Sequence, residues 1–165
     1  MNYIYYEIFK KLMDKYHMLS YIWNLGSEEL HKCTFLEEKV IKEILNPEYR
    51  KKLGKYLEYM EKCNIGMVTC FDEDYPQKLR NIINRPIVLF YKGNISIASD
   101  FSIAIVGSRN CSEYGRKSAE FISNKIAQKD ITIVSGLAIG VDSIGHITAL
   151  KNNSKTIAVI RKWSW

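Results

Sequence analysis

The sequence predicts an α/β protein, with a small helical amino-terminal domain over residues 1–65 and a parallel-sheet domain over 66–165. Three observations carry this. Apolar residues recur at helical spacing through the first sixty or so positions. From Ile103 onward, short β-branched runs alternate with helical patterns, the signature of βαβ units. Two of those runs also break on glycine just before a helix, at Ile103-Ala-Ile-Val-Gly107-Ser108-Arg109 and at Ile131-Thr-Ile-Val-Ser135-Gly136-Leu-Ala-Ile-Gly140-Val-Asp142.

Each element has its own warrant. Ile4, Ile8 and Leu12 at four-residue spacing, widened by Phe9 and Met13, predict a first amphipathic helix. Asn24-Leu-Gly26-Ser27 reads as a turn, with Ser27 as the N-cap of the next helix. A third pattern runs from about Thr34 through Leu36, Val40, Ile41 and Leu45 and stops before Pro47. A fourth runs from Glu48 to Cys63. Beyond Gly66, Met67 to Phe71 is a short strand, Asp72 to Pro76 a turn, and Leu79 to Ile83 one or two helical turns. Pro86 to Tyr91 is a β-rich run closed by Gly93. The helix between the first two parallel strands sets Ala119, Ile122 and Ile126 on one face, and the helix after Gly140 carries Ile144, Ile147 and Leu150. Thr156 to Ile160 is the third strand of the series.

Composition narrows the class. Nearly half the residues are hydrophobic, which fits a globular core. The chain carries 24 basic against 18 acidic residues, a net charge of +6. Positions 1–65 hold 11 basic and 10 acidic residues and positions 66–165 hold 13 and 8, so +5 of the +6 sits with the glycine loops. That distribution suits a phosphate-bearing partner, and it also suits ordinary solubility charge. Cys33, Cys63, Cys70 and Cys111 form no CxxC pair, and no secretory or membrane-spanning pattern is present. Reduced thiols in a cytoplasmic protein are expected, with no metal site and no cofactor.

Loops at the carboxyl ends of parallel strands are where such sheets bind ligands. The dinucleotide fingerprint G-x-G-x-x-G is absent, and so is a G-x-x-x-x-G-K-[ST] loop, so ordinary NAD or ATP binding is not supported. A glycine turn, a hydroxyl and an arginine remain. Arg109 is read either as a bidentate phosphate contact or as a surface partner for Asp or Glu. Tyr114 either stacks on a base or covers the core, the commoner fate for a tyrosine. Asp142 suits the positive end of a helix dipole. His146, one turn on, reads as structural, because neither a nucleophile nor a metal partner accompanies it.

Set in order, these residues resemble the DNA-processing DprA/Smf family. The family pattern is a strand ending in G-S/T-R, a Y-G, then S-G-x-A-x-G-[IV]-D and a histidine. It stands here as Gly107-Ser108-Arg109, Tyr114-Gly115, Ser135-Gly136-Leu-Ala138-Ile-Gly140-Val141-Asp142 and His146. Asp74-Tyr75-Pro76 to Leu79 and Pro86 to Asn94 are similar to the approach to the family's core. The resemblance covers about residues 66–160. Residues 1–65 are similar in character only, to the small SAM-like or helix-hairpin-helix-like domain that often precedes it. The resemblance implies a Rossmann-like sheet domain without established catalysis. It implies a protein that binds single-stranded DNA and loads RecA recombinase in natural transformation and recombination, with a possible homodimer in the full-length family. Carried over, Gly107, Ser108 and Arg109 contact DNA backbone, while Ser135, Gly136 and Gly140 line the same groove.

Two departures qualify the expectation. Many members have arginine where this chain has Ile139, which removes one basic contact. The chain also ends Arg161-Lys-Trp-Ser-Trp165 where the family continues with a glycine-rich turn, so the Rossmann-like domain is expected to be incomplete and its DNA binding impaired. One inserted A ahead of codons for Gly-Asn-Gly-Val yields that ending, which points to a frameshifted or truncated product. The alternatives are a phosphoribohydrolase-type enzyme, whose G-G-G-x-x-G loop is not present, and a partner-binding module that uses the helical segment alone.

Overall fold

A computed structural model describes residues 2–17, 19–83 and 85–160. The Arg161–Trp165 ending, on which the frameshift expectation rests, lies outside the described residues. The chain divides into two compact units, Met1–Tyr75 with Leu79–Gly93, and Pro76–Lys78 with Asn94–Trp165. The sequence division at 65/66 follows a change in composition, whereas the structural division keeps the first two strands with the helices.

In the first unit, helices α1 (Asn2–Tyr16), α2 (Leu19–Trp23), α3 (Ser27–His31), α4 (Glu38–Leu45) and α5 (Pro47–Lys62) precede strand β1 (Gly66–Thr69). Leu12, Ile22, Leu25, Leu30, Cys33, Leu36 and Ile41 form its core, with Ile8 and Met13 packed against them. The expected α1 stripe is therefore the buried one, although the side chain of Ile4 lies outside the described residues. Ser27 is not a cap: Gly26 occupies the N-cap position and makes no side-chain bond, while Ser27 begins α3. Helix α4 starts at Glu38, not Thr34, because Cys33 to Leu36 form a turn closed by Leu36 N–H on the Cys33 carbonyl, 2.8 Å. Asn46 caps α5 by accepting from Glu48 N–H at 2.9 Å, and Pro47 takes the first helical position, where its missing N–H costs nothing.

Strand β1 pairs antiparallel with β2 (Val88–Tyr91), from Gly66 opposite Tyr91 to Thr69 opposite Val88. Between them Asp72 turns the chain by accepting from Thr69 N–H at 2.7 Å and from the Thr69 hydroxyl at 2.9 Å. Tyr75, 2% exposed, donates its hydroxyl to the Pro86 carbonyl at 2.7 Å. The one-turn helix α6 (Gln77–Arg80) follows.

In the second unit a 3-10 turn over Ile95–Ser99 leads to β3 (Ser102–Ala104), α7 (Glu113–Ala127), β4 (Thr132–Ser135), α8 (Val141–Lys151) and β5 (Thr156–Ala158). The three strands are parallel in the order β3-β4-β5, so β4 is central. This is the expected α/β alternation. Helices α7 and α8 pack on each other and both lean on β4, which places them on one face of the sheet.

The inner face of α7 follows expectation at Ala119, which is buried, and at Ile126, which packs against the core, but not at Ile122. Ala119, Ser123 and Ala127 are the buried residues of α7, while Ile122 is half exposed. Helix α8 buries Asp142, Gly145, His146, Thr148 and Ala149 and turns Ile147 and Leu150 outward. Close approach is the reason. A Cβ at Gly145 would lie 3.4 Å from Ile105 and 3.6 Å from Ile133, so small side chains set the helix directly on the strands.

Candidate nucleic-acid interface

Both glycine turns lie at the carboxyl end of the sheet, and they dock on each other. Val141 N–H donates to the Ser108 carbonyl at 3.2 Å. Gly140 has φ of +88°, and a Cβ there would overlap the carbonyl oxygens of Ser108 and Arg109. Gly107 faces Val141, where an added Cβ would come within 2.8 Å of a methyl group. The two loops therefore form one surface, closed by backbone-to-backbone contact that only glycine permits at position 140.

The expected binding residues separate into two groups. Gly107, Ser108 and Arg109 are exposed. Among the described residues their backbone N–H groups donate to nothing in the protein, and the same holds for Leu137, Ile139 and Gly140. Arg109 forms no ion pair among the described residues, so the surface-pairing reading of this arginine does not apply. Ser135 is different: it is 3% exposed and donates its hydroxyl to the Ile105 carbonyl at 2.6 Å, joining β4 to the end of β3. The Gly136 N–H is also committed, to Asp142 Oδ2 at 3.0 Å. These two residues build the loop and leave its unpaired donors to others.

Sequence reasoning understated Asp142. It is buried in the first turn of α8, and its Oδ2 accepts from Gly136 N–H and, at 3.5 Å, from Ala138 N–H. Between those two donors Leu137 has φ of +58°, a left-handed conformation that is rare for a leucine. The carboxylate thus holds a strained turn open, and the available signal was an acidic residue two positions after a loop-closing glycine. Of the two readings of Tyr114, the commoner one, cover for the core, does not hold. Tyr114 is 82% exposed in the first turn of α7, ahead of the packed stretch that begins at Ala119, so it covers no core. Val106, Leu137 and Ile139, all at least 60% exposed, add an apolar rim. Ser112 caps α7 by accepting from Gly115 N–H at 3.1 Å.

His146 is 6% exposed and ties α8 to β5 through Nδ1 and the Thr156 hydroxyl, 2.7 Å apart. Thr156 gives its only proton to the Ile133 carbonyl at 2.9 Å, so Nδ1 carries the hydrogen and donates. Nε2 is buried without a partner among the described residues. Burial pushes the His146 pKa below 6.5, against an opposing pull from the Asp142 charge. The contribution of His146 to the stability of this unit is therefore fully present above pH 6.5 and is lost as the pH drops below it, because the unfolded chain takes a proton that the folded ring resists. Thermal unfolding from pH 7.5 down to 5 is expected to show that decline, and His146→Asn is expected to flatten it. His31, exposed in the first unit, acts in the opposite sense: the Ser27 carbonyl and then Glu38 raise its pKa.

Comparison with known proteins decides the lineage. Residues 66–162 match the family model for DNA recombination-mediator protein A. The chain belongs to this family, the DprA/Smf proteins. It is 46% identical over 89 residues to DNA processing protein DprA of Streptococcus pneumoniae, covering 54% of this chain and 31% of that protein. It is 30% identical over 157 residues to Protein Smf of Synechocystis sp., covering 93% of this chain and 39% of that one. The X-ray structure of the Streptococcus pneumoniae DprA superposes with a TM-score of 0.57 at 34% identity, over 84% of this chain and 52% of that chain. The chain thus spans about a third of the length of these two curated DprA/Smf relatives. No described helix is long and apolar enough to cross a membrane.

Proposed function

We propose that the docked loops of the second unit grip the backbone of single-stranded DNA, and that the protein serves recombination in the cytoplasm during natural transformation by presenting that strand to RecA recombinase. One observation carries the reading: Arg109 stands exposed and without an ion pair among the described residues, beside N–H groups of Gly107, Ser108 and Gly140 that have no partner among those residues. A guanidinium with backbone donors around it matches a phosphate, and such contacts read no sequence. Exposed Tyr114 and the apolar rim of Val106 and Ile139 offer faces against which unpaired bases stack or pack. Ser135 and Gly136 support the groove from beneath through their bonds to Ile105 and Asp142.

The test is a titration of labelled oligo-dT at increasing salt. Affinity is expected to fall steeply with ionic strength. Arg109→Ala is expected to weaken binding about tenfold and to lower the salt slope by about 0.7, the share of one phosphate on a single strand. A folded sample that retains no oligo-dT at low salt rejects the proposal. Loading is read separately, as RecA filament formation on DNA coated with a single-strand-binding protein.

A further inference from the structure

Helix α5 is the least packed element of the first unit. Every described side chain from Pro47 to Tyr59 is exposed, and none belongs to the helical core. A surface helix that packs so little is expected to be polar all round. This one instead carries Tyr49 at 49%, Tyr56 at 58%, Leu53 at 37% and Leu57 at 47% exposure. Tyr49 and Tyr56 are two turns apart, about 10 Å along the axis and on one face. Lys52 lies between them, three residues after the first and four before the second, and Lys55 flanks the same band.

Charge follows the same pattern. The helix holds five basic residues against three acidic ones, while residues 1–46 hold six against seven. The basic excess of the first unit's helices therefore concentrates where the exposed tyrosines are. A protein partner seated on this face would have to desolvate Lys52 in the middle of its contact, which is costly without a buried counter-charge. A single strand of nucleic acid meets both needs at once. Its bases stack on tyrosine faces and its phosphates pair with the lysines between them.

We infer that α5 is a second contact for single-stranded DNA, in which Tyr49 and Tyr56 stack on bases while Lys52 and Lys55 pair with phosphates. The inference rests on the reading of this chain as a single-strand binder and adds a site outside the glycine loops. It is tested on the full chain with labelled oligo-dT, using Tyr49→Ala/Tyr56→Ala and Lys52→Ala/Lys55→Ala beside Arg109→Ala. Circular dichroism melts establish that each variant is folded, as expected for substitutions on an exposed helix.

The tyrosine pair is expected to lose at least about tenfold in affinity with its salt slope unchanged, since stacking releases no counterions. The lysine pair is expected to lower the slope by about 1.4, two phosphates' share. Wild-type affinity and slope in both α5 variants, with binding weakened in Arg109→Ala, overturns the α5 contact and leaves the loop reading in place. No retention of oligo-dT by the wild type overturns both. A dimer that dissociates in the tyrosine variant while DNA affinity stays unchanged also overturns the inference, because it makes a second copy the occupant of this face.

Discussion

Gly140→Ala is expected to destabilise the second unit by about 1–5.5 kcal/mol and to abolish retention of single-stranded DNA. Two costs act together. With φ of +88° and ψ of −131° the backbone sits where an L side chain is strained, typically by about 1–3 kcal/mol. The added methyl also overlaps the Ser108 and Arg109 carbonyl oxygens, and overpacking costs about another 1–3 kcal/mol. The usual benefit of replacing glycine, a less flexible unfolded chain worth about 0.4–1 kcal/mol, offsets only part of this. To relieve the overlap the loops must separate, which breaks the Val141 N–H bond to Ser108 and moves Arg109. Gly107→Ala is the control. Its methyl meets the Val141 side chain, but the backbone at 107 is not in the left-handed region, so only the packing cost applies and a smaller loss is expected. Hydrogen exchange at the β4 amides measures the stability and oligo-dT titration the function. Binding at wild-type affinity in Gly140→Ala would falsify the view that loop docking builds the groove.

The fold was legible where local chemistry and tertiary placement agree. The β-branched runs at Ile103–Val106, Ile131–Val134 and Thr156–Ile160 overlap β3, β4 and β5 to within one or two residues at each end, because a strand with helices against it needs that composition. The helix between the first two runs was legible by its period, and Ala119 and Ile126 do face the core; Ile122 does not, because size decides which side approaches a sheet, and Ser123 and Ala127 fit where it would not. Antiparallel pairing of Gly66–Thr69 with Val88–Tyr91 left no local mark, since the register depends on the turn Asp72 builds between them.

The site divides in the same way. Gly107, Ser108, Arg109 and Gly140 could be singled out from residue type and position at the strand ends. That Ser135 spends its hydroxyl on Ile105 could not, because the partner lies thirty residues away and meets it only across the β3–β4 ladder. For Tyr114, residue type alone favours burial over stacking. Its place in the first turn of α7, ahead of the packed stretch, overrides that preference.

Asp142→Ala is expected to cost about 1.5–3 kcal/mol, the range for a hydrogen bond made to a charged group. The structural consequence extends beyond one bond. Gly136 and Ala138 N–H lose their acceptor, and nothing then holds Leu137 in its left-handed conformation, which opposes the turn by about 1–2 kcal/mol. The loop should relax and draw the Gly140 N–H away from the groove, so DNA binding weakens although Asp142 itself is buried. Asp142→Asn separates charge from geometry. Its amide oxygen still accepts from Gly136, and the lost favourable term with the α8 dipole is only about 0.3–1 kcal/mol. If the loop grips phosphate as proposed, removing a negative charge behind it also favours the ligand, so Asp142→Asn is expected to bind oligo-dT at least as tightly as wild type. Leu137→Gly removes the strain and is expected to recover part of the stability lost in Asp142→Ala. If the alanine and asparagine variants bind DNA equally, the carboxylate acts through its charge, and the account of a geometric clamp on the turn fails.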